Sequence, residues 1–215
     1  GAASGTTGDC VWTLDDDGAL TISGNGKMGA YSYQNASPWG REITSVDIGY
    51  GVTNISNSAF RYCSDLTSVT IPNSVTTIEN FAFYGCSALN GVTIPDSVTK
   101  IGSGVFEYNR ALTDITIGSH VKCIGDEAFY SCSSLQSISL PGSVESIGSR
   151  AFSGCPLAEI TMGSGLKRIG DQAFSGCFAL TAIELPNGVT GIGDMAFSGC
   201  DSLATITIPD SVVSI

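Results

Sequence analysis

Cysteine offers the most varied chemistry of the residues in this sequence, and eight cysteines occur among its 215 residues. Cysteines can form disulfides, hold metal ions or act as nucleophiles. Six of them recur at a nearly constant interval, and the series has one gap, which Asn109 fills. Asparagine can replace a small buried hydrogen-bonding group, but it cannot replace one half of a disulfide. The pattern therefore predicts buried thiols at Cys63, Cys86, Cys132, Cys155, Cys177 and Cys200.

The remaining cysteines, Cys10 and Cys123, lie far apart in sequence, and we expect both to be reduced. No Cys-x-x-Cys motif or Cys/His pair is present, so the sequence predicts no metal site. The only histidine, His120, lacks a pattern of serine and acidic partners, which favours a surface loop over a general base.

Two short motifs have simpler interpretations than ligand binding. Residues 15–18, Asp-Asp-Asp-Gly, supply adjacent carboxylates, whereas a calcium site needs about six spaced oxygen ligands. Residues 24–29 satisfy G-x-G-x-x-G, but the segment that follows does not have a helical pattern, as a dinucleotide site would need. Both read as turns, so we predict no catalytic residue, no cofactor and no enzyme activity.

The elements that position these residues come from an internal repeat. One phrase, V-x-x-I-G-x-x-A-F-x-x-C-x-x-L-x-x-I-x-[IL]-P-x-S, recurs along most of the chain, and one copy is shorter by a single residue. A period of ~23 residues predicts a solenoid, in which each coil buries its apolar face against its neighbours. The opening aliphatic residues are Val52, Val75, Val98, Val121, Val144, Leu166, Val189 and Val212.

Each repeat divides into three predicted parts. V-x-x-I is a short extended segment, and L-x-x-[VI]-x-[IL] is a strand. Between them, G-x-x-A-F-x-x-C predicts one or two helical turns, with Asp126, Asp171 and Asp194 at helix N-caps. The recurring phenylalanines should stack into a continuous spine, formed by Phe60, Phe83, Phe106, Phe129, Phe152, Phe174 and Phe197.

Three regions follow from this pattern. Residues 1–8 are predicted to be a flexible N-terminal end, and residues 43–215 to be seven full repeats with no C-terminal cap. Residues 9–42 read as an N-terminal cap that begins with a β-hairpin turning at Asp17-Gly18, with both tryptophans packed on the first coil. The unfinished last repeat should leave an open edge, where end-to-end contact between molecules is expected.

Charge restricts the partners. The net charge is −11, from 20 acidic and 9 basic residues, which argues against nucleic acid and anionic membranes. No run of about 18 apolar residues is present, so direct membrane insertion is not expected. The four basic residues Lys100, Lys122, Lys167 and Arg168 form a weak stripe that we interpret as solubilising. The first residues do not form a signal peptide.

The predicted strands offer one candidate ligand-binding surface. Their outward residues are rich in Thr and Ser, and four acidic residues interrupt them. Threonine ladders also favour strands on structural grounds alone, so both interpretations stay open. The candidate residues on this face are Asp47, Thr70, Thr93, Asp114, Thr116, Ser139, Glu159, Thr161, Glu184 and Thr207.

The pattern A-F-x-x-C followed by L-x-x-I-x-I-P over residues 43–215 resembles the BspA-like leucine-rich repeats. The departures are Val105, Asn109 and one deletion between Cys155 and Leu157. The resemblance implies an α/β repeat solenoid: a right-handed superhelix with a concave parallel β-sheet and short convex helical turns. It also implies a secreted or cell-surface bacterial protein without catalytic residues.

From this resemblance we expect a non-catalytic module that binds a host or bacterial surface protein or a glycan, as adhesins of the family do. A stiff structural spacer is the competing interpretation. A third is an accessory domain of a larger surface protein or enzyme.

Overall fold

The computed structural model describes residues 3–215 and shows a solenoid of stacked coils. Within these residues there are eighteen β-strands and no helix. The first four strands, in the cap and the first coil, are β1 (Ala3–Thr7), β2 (Cys10–Leu14), β3 (Ala19–Gly24) and β4 (Ser45–Ile48). The others alternate between two- and three-residue strands: β5 (Asn54–Ile55), β6 (Ser68–Thr70), β7 (Thr77–Ile78), β8 (Gly91–Thr93), β9 (Lys100–Ile101), β10 (Asp114–Thr116), β11 (Cys123–Ile124), β12 (Ser137–Ser139), β13 (Ser146–Ile147), β14 (Glu159–Thr161), β15 (Arg168–Ile169), β16 (Ala182–Glu184), β17 (Gly191–Ile192) and β18 (Thr205–Thr207).

The cap contains the predicted hairpin. Strands β2 and β3 pair antiparallel, with Trp12 opposite Ile22. At the turn, the carboxylate of Asp15 accepts hydrogen bonds from the amides of Asp17 (2.9 Å) and Ala19 (3.0 Å). Strand β3 then pairs in parallel with β4, which joins the cap to the first coil.

The predicted flexible end is wrong where the structure describes it. Residues 3–7 form β1, which pairs antiparallel with β2 along its whole length. Gly5 faces Trp12 so closely that an added Cβ would lie 2.8 Å from the indole nitrogen. Thr7 is buried, and its hydroxyl hydrogen-bonds to the Tyr31 hydroxyl at 2.6 Å. Packing on the tryptophan therefore orders this end, while Gly1 and Ala2 lie outside the described residues.

Each coil contributes one strand to each of two parallel stacks. The short-strand sheet pairs every odd-numbered strand from β5 to β17 with the equivalent strand of the next coil. The long-strand face comprises β3, β4 and the even-numbered strands from β6 to β18, which pair as β3-β4-β6, β8-β10, β12-β14 and β16-β18. Equivalent residues face each other, as Ile124 faces Ile147 and Thr93 faces Thr116.

The third side of each coil, here called the turn side, corrects the prediction of helical turns. Alternate amides bond differently: the Ala59 amide closes a turn onto Ser56 within the coil, and the Phe60 amide reaches Ala82 of the next coil. Every repeat has positive φ before its Ala (Val in one repeat) and again before its Cys or Asn, as at Ser58 (φ 55°) and Tyr62 (φ 60°). Left-handed residues interrupt an α-helix, and amides committed to the next coil cannot bond within the helix.

The predicted helix N-caps are likewise replaced by contacts between coils. A carboxylate oxygen of Asp126 accepts the amide of Ser149 at 2.8 Å, and Asp171 accepts the amide of Asp194 at 2.8 Å. These aspartates hold the next coil in place because the amides they satisfy belong to it.

The phenylalanine spine is confirmed. Neighbouring rings from Phe60 to Phe197 stack with centroids 5.2 to 5.6 Å apart. Trp39 continues the column into the cap, 5.6 Å from Phe60, and its indole N–H donates to the carbonyl of Ala59 at 3.0 Å. The short repeat does not break the column, since Phe152 and Phe174 are 5.5 Å apart.

Candidate functional site

The cysteine series is part of the core. Each thiol from Cys86 onwards donates to the carbonyl of the phenylalanine in the preceding coil, at 3.0 to 3.2 Å. Asn109 makes the equivalent bond through its amide nitrogen, 2.7 Å from the carbonyl of Phe83. Burial raises the pKa of Cys63 to about 12 and that of Cys86 well above its usual range. Cys63 and Cys86 therefore stay protonated, and the thiols from Cys86 onwards in the series act as hydrogen-bond donors, as the Cys/Asn alternation predicts.

The other residues considered for chemistry lie apart from one another. His120 is exposed, and its ring nitrogen contacts Ser119 beside it at 3.2 Å. The glycine run packs on the first coil, where the Gly26 amide donates to the carbonyl of Gly51 at 3.0 Å. Residues 3–215 contain no group of three or more His, Cys, Asp or Glu side chains arranged to hold a metal ion.

The structure brings the predicted surface residues together on the long-strand face. All ten are exposed. Eight outward residues form one column across β4 and the even-numbered strands, in which Asp47 faces Thr70 and Glu184 faces Thr207. Asp114 and Glu159 belong to the neighbouring column, where Asp114 faces Gly91 and Glu159 faces Ser137.

One shallow depression of about 380 Å³ interrupts this face between β6 and β8. It lies where Gly91 supplies no side chain to its column. Thr70, Thr93, Asp114 and Thr116 line it, so four of the ten predicted residues surround the same hollow.

A second surface, on the turn side, was not predicted. Tyr62, Tyr84, Tyr108 and Tyr130 stand one above another in successive coils. Their centroids are 5.3, 5.6 and 5.8 Å apart, and each ring is nearly perpendicular to the next, at 88° to 89°. Such edge-to-face contacts are favourable for aromatic pairs and hold the rings in fixed positions.

Three arginines lie on these rings. The guanidinium carbon of Arg61 is 4.7 Å from the Tyr84 centroid and 5.5 Å from that of Tyr62. Arg41 lies 5.2 Å from Tyr62, and Arg110 lies 5.6 Å from Tyr108. Cations over aromatic faces are attracted by the ring quadrupole. We name this surface the tyrosine–arginine patch; it comprises Tyr33, Arg41, Arg61, Tyr62, Phe81, Tyr84, Glu107, Tyr108, Arg110, Glu127 and Tyr130.

A buried carboxyl group lies within the patch. Glu107 is only 7% exposed, and burial raises its pKa from 4.5 to about 7. The negative charge of Glu127 and a hydrogen bond with its side chain raise the pKa further, while Arg61 lowers it. The charge of the patch therefore changes near neutral pH.

A signal for the patch is present in the sequence, but it requires reading the repeats as columns. The residue after each spine phenylalanine is Arg61, Tyr84, Glu107 and Tyr130 in the first four repeats. The last three repeats have serine in this slot, at Ser153, Ser175 and Ser198. Reading along the chain hides this difference, because no single repeat contains a recognisable motif.

Comparison with known families agrees with this architecture. A model described as BspA type leucine rich repeat region, in six copies, matches residues 28–155 and 100–215. The chain belongs to the BspA-type leucine-rich repeat family. This confirms the resemblance drawn from the A-F-x-x-C and L-x-x-I-x-I-P phrases.

Solved structures include similar leucine-rich repeat folds. A leucine-rich repeat protein from Bacteroides ovatus is 29% identical, with a TM-score of 0.74 over 95% of this chain and 53% of its own. The chain thus spans about half the length of that protein. A leucine-rich repeat protein from T. pallidum is 23% identical, with a TM-score of 0.60, over 91% of this chain and 88% of its own. No curated protein matches.

Within residues 3–215, no helix has the length and apolar character needed to span a membrane.

Proposed function

We propose that this chain is a non-catalytic binding module of a secreted or cell-surface bacterial protein, which adheres to a host or bacterial surface protein or glycan. The observation that supports this is the long-strand face. Its outward residues are exposed, and they repeat from coil to coil along the even-numbered strands. Solenoids use such extended faces for binding.

The acidic residues of this face are where one coil differs from the next. Asp47, Asp114, Glu159 and Glu184 stand among Thr and Ser, and Asp114 borders the hollow beside Gly91. A partner with basic side chains would gain charge-assisted hydrogen bonds there. We therefore propose the ten predicted residues as the contact surface.

The test is a binding screen of the purified chain against host matrix proteins and mucin glycans. The double variant Asp114→Lys and Glu159→Lys should abolish saturable binding through this face. Asp65→Lys with Asp201→Lys makes the same charge change at exposed turn-side residues and serves as the control. Equal loss in both variants would argue against the long-strand face.

The second candidate function is a stiff spacer or accessory domain of a larger surface protein or enzyme. The Thr and Ser residues that make up most of the column support it, because cross-strand hydroxyl pairs stabilise a sheet without any ligand. A spacer predicts no saturable binding to any member of the panel.

A further inference from the structure

We infer that the tyrosine–arginine patch on the turn side is a binding site for a linear, uncharged polysaccharide. This site lies away from the long-strand face, and its ligand class is narrower than that of the proposed function. The inference stands on the aromatic column, its spacing and the polar groups around it.

Aromatic rings supply the apolar part of such a site. The carbon-bound hydrogens of a sugar ring pack on aromatic side chains, and tyrosine adds a polar tip that can bond to hydroxyls. Tyr33 is 66% exposed and Tyr62 is 37% exposed. The half-buried Tyr84 and Tyr108 are held by their edge-to-face neighbours, so binding would order few side chains.

The spacing of the column favours a linear chain. The tyrosine centroids are separated by 5.3, 5.6 and 5.8 Å, because each of four successive coils contributes one ring. One pyranose unit of an extended glycan advances by about the same distance as one coil. Successive sugars of a linear chain can therefore each meet one tyrosine, which comes alternately from the second and the first position after the spine phenylalanine.

The polar groups favour hydroxyls. Arg41 and Arg110 are exposed donors beside the rings, and the half-buried Glu127 supplies carboxyl oxygens that accept. Sugar hydroxyls both donate and accept, so they can use groups of both kinds. A polyanion would meet the Glu127 carboxyl group and a net charge of −11, and a polycation would meet the arginines. An uncharged chain avoids both.

The extent of the patch sets the length of the ligand. Large side chains occupy the column in four coils, and Ser153 begins the run of serines that ends it. Affinity should therefore rise with chain length up to about four sugar units and then level off.

Calorimetric titration with cello-, xylo-, laminari- and malto-oligosaccharides of two to six units tests this inference. At least one series should bind, with at least about a tenfold gain in affinity from two units to four (about 1.4 kcal/mol) and little beyond. The double variant Tyr84→Ser and Tyr130→Ser should weaken that binding at least about tenfold. Both changes copy residues that the last three repeats carry in the same slot, so the fold is expected to tolerate them.

A second variant tests the polar groups and keeps all four tyrosines of the column. Arg41→Gln with Arg110→Gln should weaken the same binding severalfold. Asp114→Lys with Glu159→Lys should leave it unchanged, so failure of the long-strand face and failure of the patch can be told apart.

The inference is overturned by any of three outcomes. The first is absence of binding to every uncharged series at about 1 mM, the weak end of specific affinities. The second is an affinity that the tyrosine substitutions leave unchanged, or one that increases by the same factor with every added sugar unit. The third is that hexagalacturonate, an acidic chain, binds more tightly than any uncharged oligosaccharide, or that the tyrosine variant loses binding to proteins but keeps its affinity for oligosaccharides.

Discussion

At the scale of the residue, Asn109 is a useful exception in the buried series. Its amide nitrogen donates to the carbonyl of Phe83, as the thiols do in other coils, but its amide oxygen is buried without a partner among residues 3–215. A buried acceptor without a partner costs about 1–3 kcal/mol. A thiol at this position would supply the donor without the orphan oxygen.

We therefore expect Asn109→Cys to raise the free energy of unfolding by about 1 kcal/mol. Asn109→Ala, which removes the donor as well, should lower it. Urea unfolding under reducing conditions measures both. The explanation fails if the cysteine variant is less stable than the parent.

The Glu107 carboxyl predicts a pH dependence of stability. Its pKa rises from 4.5 to about 7 in the folded chain, so between these values the folded state holds a proton that the unfolded state releases. This contribution to stability is present at acid pH and is lost as the pH rises through about 7. Glu107→Gln cannot ionise. The stability of the variant relative to the parent should therefore grow by roughly 1–2 kcal/mol between about pH 5 and about pH 8.

Urea unfolding of both proteins at the two pH values gives the measurement. Glu184→Gln, at an exposed position on the long-strand face, is the matched control. A stability difference that does not change with pH for Glu107→Gln would contradict the assignment.

At the scale of the element, the turn side depends on left-handed backbone. Gly154 has φ 77°, and an added Cβ would meet Ser131 only at ordinary contact distances of 3.4 Å and more. Gly154→Ala should therefore lower the free energy of unfolding by about 1–2 kcal/mol, and this loss should come from the backbone conformation alone.

Thermal unfolding should show that loss for Gly154→Ala and a much smaller one for Ser153→Ala, which lies beside it without positive φ. Equal losses would mean that side-chain packing, not backbone conformation, decides this position.

The element scale also shows why the helical prediction failed. The spacing of Ala, Phe and Cys is compatible with one helical face, and the aspartates stand where N-caps would. The same spacing fits a chain that turns on left-handed residues and gives every second amide to the next coil, as the Phe60 amide does. A local pattern cannot report a hydrogen bond to a residue of another repeat.

At the scale of the whole molecule, each coil is stabilised by its contacts with the adjacent coils. Each spine ring from Phe60 to Phe174 has an aromatic ring on either side, and Trp39 closes the column at the cap. Because a solenoid coil contacts only adjacent coils, damage should stay local.

Phe129→Ala, in the middle of the spine, should destabilise the chain by about 3–5 kcal/mol. Amide hydrogen exchange should accelerate in its own and adjacent coils more than in the cap. Phe197→Ala, at a half-buried ring with one stacked neighbour, should cost less. Uniform acceleration along the chain would show instead that the solenoid unfolds as one unit.

The sequence by itself determined the coil length, the spine and the long strands. These follow from period and burial, since apolar residues recurring at one slot can be buried only by stacking. The role of the Cys/Asn slot was also determined at this level, because only a buried hydrogen-bonding group accommodates both Cys132 and Asn109. The prediction that ten residues share the long-strand face followed from alternation along each strand.

Only the tertiary structure decided the course of the turn side, the order of residues 3–7 and the tyrosine–arginine patch. Tyr62, Tyr84 and Tyr108 belong to three successive repeats, and no motif along the chain joins them. Stacking brings successive ring centroids to 5.3 and 5.6 Å from one another, although Tyr84 directly follows its spine phenylalanine and the other two stand one position further on. The sequence shows only the period of the repeats. The contacts between coils create the surface that is proposed to bind a glycan.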